Sequence, residues 1–129
     1  MTGEELIDQF ERGAVPAESF HHADHVRLAF AYLGKYPVFQ ALEKFATALK
    51  RFAAAQGRPQ IYNETITFAY LFLIRERMAR SPGSGWEEFS SLNPDLLVWR
   101  DGVLDLFYRV ETLKSELAKT VFLFPDKYR

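Results

Sequence analysis

The sequence predicts an all-α protein, a single compact helical bundle of about five to seven helices with an extended C-terminal tail. Three observations carry that prediction. Apolar residues recur at helical spacing along successive stretches. Gly and Pro bracket the ends of those stretches. Thr2 and Glu5 have the spacing of a capping box.

The first helix is expected over Gly3 to Arg12, with Leu6, Ile7 and Phe10 as its apolar stripe and Gly13 as its stop. A connector from Ala14 to Phe20 contains Pro16. The second helix is expected over Ala23 to Lys35. Its apolar residues Val26, Leu28, Ala29, Phe30, Tyr32 and Leu33 go most of the way round, as in a central helix. Gly34 and Pro37 bracket its end. The third helix starts at Pro37, whose missing N–H suits a first turn. Val38, Leu42, Phe45, Leu49 and Phe52 form its stripe, and Gly57 and Pro59 stop it.

The fourth helix, Asn63 to Arg80, is the most apolar and is expected to be the most buried. Thr65, Ile66, Thr67, Phe68 and Tyr70 have strand propensity. The segment is too long for one strand, and Arg75-Glu76-Arg77-Met78-Ala79 favours helix. A loop follows, Ser81 to Gly85. Ser84 and Glu87 have capping-box spacing and open a short helix to Ser91. Asn93-Pro94-Asp95 is a turn. Two short helices are expected, Leu96 to Tyr108 (interrupted at Asp101-Gly102) and Val110 to Lys119. The apolar tail, Val121 to Pro125, should pack back onto the bundle, because an exposed patch of that kind invites association.

The chain has 129 residues, which fits one domain over 1–129. Apolar residues are 48% and charged residues 26%, a globular composition. The net charge of -1 gives no electrostatic case for nucleic acid or an anionic membrane. Without cysteine there can be no disulfide, iron–sulfur cluster, Cys-ligated zinc or thiol nucleophile. The first residues carry acids where a signal peptide needs a basic stretch. The longest apolar run, Ile66 to Ile74, is about half of what crosses a bilayer. Arg75, Glu76 and Arg77 close it. The expectation is a soluble, cytoplasmic protein with no membrane partner.

All three histidines fall in one window, His21-His22-Ala23-Asp24-His25. On a helix His22 and His25 are i, i+3 and share a face, while His21 and His25 are i, i+4. Either pair can offer two imidazole nitrogens to one ligand or metal. Asp24 points elsewhere and suits a helix-start N–H or a bond behind a metal ligand. A metal site needs a third ligand, and Glu64 is the best candidate, since an unpaired carboxylate at the head of the most apolar helix is costly. Tyr62 and Asn63 beside it can add hydrogen bonds, and Thr65 and Thr67 can donate into a pocket. Two His and one carboxylate suit a divalent ion such as Zn, Fe or Mn. No HEXXH signature is present, so no metalloprotease follows.

The leading expectation is a polar His22, His25, Glu64 pocket that binds a divalent metal or a small polar ligand. In a catalytic version, Glu64 or a metal-bound water is the base and a His orients the substrate. The alternative is a non-catalytic ligand-binding or interaction module, with the same residues as a structural hydrogen-bond cluster. Capping and the helix dipole alone also account for His and Glu at helix starts.

Other residues weigh less. Tyr32, Tyr62 and Tyr70 line a cavity or fill the core. Arg75, Glu76 and Arg77 form a solvated helix end, with Glu76 near enough to the stripe to assist the site. Trp86 and Trp99 anchor the less regular C-terminal part. Ser19, His22 and Asp24 are too close in sequence to form a catalytic triad. No phosphate-cradling Gly-rich loop or basic helix–turn–helix is present.

Phe20-x-His22-x-x-His25, followed by Tyr62-Asn63-Glu64-Thr65-x-Thr67, resembles a widespread family of small bacterial proteins with no activity to their name. The family pattern is F-x-H-x-x-H, then Y-H-E-T-x-T. Trp86-Glu87-Glu88-Phe89 and Asn93-Pro94-Asp95-Leu96-Leu97 extend the resemblance over nearly the whole chain. It implies that the two segments form one functional pocket. Asn63 stands where the pattern has His, and Asn offers a metal only a weak oxygen donor.

Overall fold

In the computed structural model, which describes residues 1–127, the first helix, α1 (Gly3–Glu11), opens with the predicted cap. Thr2 Oγ1 accepts the Glu5 N–H at 3.1 Å, and Glu5 Oε1 accepts the Thr2 N–H at 3.0 Å. Leu6, Ile7 and Phe10 are buried against the second helix, α2 (His22–Lys35). That helix starts one residue before its expected position. The His21 N–H donates to Asp24 Oδ2 at 2.9 Å, the helix-start role expected of Asp24.

Among the helices, α2 is the hub. It packs on α1, on α3 (Val38–Ala55) and on α4 (Glu64–Arg80). Val26, Leu28, Ala29 and Tyr32 along it are almost fully buried. Ala41 and Ala48 of α3 are buried too, and their small side chains let helix backbones approach closely. α4, expected to be the most apolar and most buried helix, is neither once Glu64 and its charged last turns are counted in. α4 buries Thr65, Thr67, Tyr70, Leu71 and Ile74, but Phe72 remains 41% exposed. Its partners α2, α3 and the C-terminal segment leave that side at the surface.

The C-terminal third departs most from expectation. The helix from Trp86 to Leu92, α5, has Gly85 as its N-cap residue. The Ser84 capping box does not form; Ser84 Oγ instead donates to Glu88 Oε1 at 2.7 Å. The chain stays extended at Gly85, so helical hydrogen bonding begins one residue too late for Ser84. The helix expected over Leu96 to Tyr108 is replaced by two 3-10 turns, Pro94–Leu97 and Val103–Leu106. Between them Asp101 takes φ 50°, and Gly102 is tucked under the Val98 and Trp99 carbonyls. The stretch expected as one helix to Lys119 is two, α6 (Val110–Leu113) and α7 (Glu116–Thr120). Ser115 divides them, its Oγ capping α7 through the Ala118 N–H at 3.1 Å.

Two tertiary clamps hold this region. Arg77, expected as part of a solvated end, is half-buried. It grips Asp95 through two N–H···O bonds (3.0 and 2.7 Å) and Asn93 Oδ1 through a third (2.8 Å). Thr65 is fully buried, and its hydroxyl lies 2.9 Å from both the Ala118 and Val121 carbonyls. The same oxygen accepts the Leu123 N–H at 3.1 Å. Tyr108 donates to the Leu123 carbonyl at 2.8 Å, and Phe122 stacks on Phe68. The tail lies back against the bundle in extended form through the half-buried Phe122 and Leu123, while Val121, Phe124 and Pro125 stay exposed. Among the described residues no helix is long and apolar enough to cross a membrane.

Thr65→Val keeps the shape and removes the hydroxyl. It should cost about 2 kcal/mol in urea unfolding and speed amide exchange at Leu123. Unchanged exchange there would show that packing alone holds the tail. Gly102→Ala places a methyl 2.6 Å from the Val98 oxygen. It should lower stability by about 2 kcal/mol, read as a lower Tm.

Candidate functional site

The site begins with an aromatic anchor. Phe20 ends the connector and is buried between Phe10 of α1 and Phe52 of α3, with ring centroids 4.7 and 5.0 Å away. This fixes the entry into α2, so its first turn faces α3 and the start of α4. His22 and His25 then lie on one face, as their spacing predicts, and both border an open cavity of about 620 Å³. Leu49 and Phe52 of α3, Ile66 and Thr67 of α4, and Tyr62 and Asn63 before α4 form much of the remaining wall.

The two imidazoles are held differently. His22 Nε2 lies 2.9 Å from the Leu96 carbonyl oxygen. A carbonyl only accepts, so Nε2 carries the proton and, in the neutral ring, Nδ1 is the acceptor. Tyr70 and Trp99 flank that ring, with centroids at 5.0 and 5.2 Å. His25 packs on the Phe20 ring at 4.3 Å. Its ring makes no hydrogen bond to protein among the described residues.

Burial sets their charge. The pKa of His25 is pushed down to about 4, chiefly by desolvation and then by neighbouring His22, with Asp24 opposing. Burial also lowers His22, opposed by its bond to Leu96. Both rings are therefore neutral at pH 7, each with one donor and one acceptor nitrogen. Burial, and then the hydrogen bond to Glu64, raise the Tyr62 phenol well above its ordinary range.

Glu64 does not join the histidines. Its Oε1 accepts the Tyr62 hydroxyl at 2.6 Å and lies 3.9 Å from Lys50 Nζ. It sits outside the cavity wall, on the side of α4's first turn that faces Lys50 of α3. Among the described residues no group of three or more His, Asp or Glu side chains is placed to hold a metal ion. The His22, His25, Glu64 ligand set is thus not assembled. The cavity wall instead gathers His22, His25, Tyr62, Asn63 and Thr67.

Asn63 has a structural task. Its Oδ1 accepts the Ile66 N–H at 2.9 Å, and its Nδ2 donates to the Leu113 carbonyl at 2.8 Å. Thr67 Oγ1 bonds back to the Asn63 carbonyl at 2.8 Å. Glu76 pairs with Arg80, and Tyr32 donates to Glu11 at 2.7 Å; neither borders the cavity.

Sequence reasoning missed Lys114 and Lys119, and gave Trp99 only an anchoring role; all three border the cavity. The lysines come from the segment whose helices were misplaced, so their facing could not be read from spacing. An adjoining depression of about 670 Å³ lies beyond Phe52. Its wall carries Glu11 and Glu43 beside Arg12, Lys44 and Arg51, a mixture of both signs.

The buried His25 makes stability depend on pH. Above pH 6.5 neither folded nor unfolded chain holds its proton. Between 6.5 and about 4 mainly the unfolded chain binds it. Stability falls as pH falls through that window. From about pH 7.5 to about pH 5 the wild type should lose about 2 kcal/mol more than His25→Gln in urea titrations. Parallel curves would show His25 to be as well solvated folded as unfolded. No protein-family model, curated protein or solved structure matches the chain, so a function for this cavity is argued from its own geometry.

Proposed function

We propose that this chain is a small-molecule binding protein whose site is the cavity between the starts of α2 and α4 and the flank of α3. The observation that carries this is His25. Its imidazole is half-buried on the cavity wall, neutral at pH 7 and without a protein hydrogen-bond partner among the described residues. Its ring nitrogens reach solvent through the open cavity, so a ligand there can take the place of water on one donor and one acceptor.

The surroundings support the reading. A volume of about 620 Å³ suits a drug-sized molecule, and Phe20, Phe52 and Trp99 give it aromatic walls. A purely structural cluster would pair both imidazoles, and His25 is unpaired. A metal centre would need a third protein donor, and Glu64 is engaged by Tyr62 and Lys50. Binding is favoured over catalysis because the wall holds no carboxylate base among the described residues, and an imidazole titrating near 4 is a weak base at pH 7.

The test is a thermal-shift screen of aromatic and heterocyclic compounds, with Trp99 emission as the second signal. Ligands should raise the Tm and perturb that emission in wild type. His25→Phe should weaken them about tenfold, the loss of a hydrogen bond to a buried group. Ile66→Trp should fill the cavity and abolish binding while circular dichroism stays unchanged. Ligands that bind Ile66→Trp as well as wild type would place the site elsewhere.

A further inference from the structure

We propose that the ligand is an organic anion, a carboxylate on a flat apolar body, recognised by Lys114 and Lys119. This rests on the binding reading above and specifies its chemistry. The chain as a whole is nearly balanced, with 16 Lys and Arg against 17 Asp and Glu. The cavity wall is not. Among the described residues it includes two lysines and no acid. Its histidines are neutral at pH 7, so among the described residues the two ammonium groups are the formal charges of the wall.

The lysines are also positioned. Asn63 Nδ2 holds the carbonyl of Leu113, the residue before Lys114, and Thr65 Oγ1 holds the carbonyl of Ala118, the residue before Lys119. Both anchors come from the start of α4, which borders the same cavity. Their backbone is thereby fixed before a ligand arrives, which lowers the entropy lost on binding.

The existing partner of Lys119 is weak. Its Nζ lies 3.3 Å from Glu116, whose side chain is 90% exposed, while the lysine stem is 28% exposed. An exposed i, i+3 pair contributes little, so a carboxylate inside the cavity competes for the ammonium. Phe20, Phe52 and Trp99 supply faces for a flat ring, and His25 supplies one donor and one acceptor for a substituent.

The probes are 2-naphthoate and its neutral isostere 2-naphthamide, titrated calorimetrically into the full chain at neutral pH and low salt. Naphthoate should bind about tenfold more tightly, and high salt should erode the difference. The double variant Lys114→Gln/Lys119→Gln, checked for fold by circular dichroism, should equalise the two by weakening naphthoate alone. Ile66→Trp should abolish both. Equal affinities in wild type, or an anion preference that survives the double variant, would overturn the anion assignment and leave the cavity reading standing. No binding of either probe would count against both readings. Binding that persists in Ile66→Trp would place these probes outside the cavity and overturn the assignment.

Discussion

The first turn of α4 holds the C-terminal segment to the rest of the molecule through two side chains. The Thr65 hydroxyl, fully buried, meets two carbonyls and one N–H of that segment. Asn63, two residues earlier, caps its own helix with one end of its amide and holds Leu113 with the other. The segment they hold contains only short helices and extended chain, which have little stability of their own. These bonds substitute for the core that such short elements cannot build. They matter to the site as well, because the segment carries both lysines of the cavity wall.

The histidine pair shows how position within one turn divides labour between identical side chains. His22 spends its Nε2–H on the Leu96 carbonyl and so ties α2 to the 3-10 turn that follows α5. His25, one turn on, packs on the Phe20 ring and borders the cavity. Their shared burial keeps both neutral near pH 7, so the pair offers hydrogen bonds and no charge. The positive charge of the cavity comes instead from lysines that sit on another element. Separating charge from hydrogen bonding in this way suits recognition of a ligand with an anionic end and a polar substituent.

Much of the fold was legible along the chain. Thr2 with Glu5, the stripes of α1 and α3, and the Gly and Pro boundaries report local preferences, and local hydrogen bonds enforce them. His22 and His25 shared a face for the same reason, since helical periodicity fixes i and i+3 together. The polar residues before and within α4 also reached the cavity wall, with Glu64 excepted. Glu64 was misjudged because the turn that starts α4 points it at Lys50, a neighbour far along the chain. Arg77 was misjudged likewise: its partners Asn93 and Asp95 lie beyond a loop and a helix.

The sequence by itself determined the helical class, the four long helices, the shared face of the two histidines and the return of the tail onto the bundle. Each follows from spacing within about one or two helical turns, where neighbours in sequence are neighbours in space. Tertiary structure decided the rest. It reduced both halves of the Leu96 to Tyr108 stretch, whose interruption at Asp101-Gly102 the sequence already marked, to 3-10 turns, and it split the next helix at Ser115. It turned Glu64 away from the histidines and brought two lysines toward them. The facing of Glu64 and of the lysines depends on partners outside their own helical turns, Lys50 for Glu64 and Asn63 and Thr65 for the segment that carries the lysines, and these become known only once the chain has closed on itself.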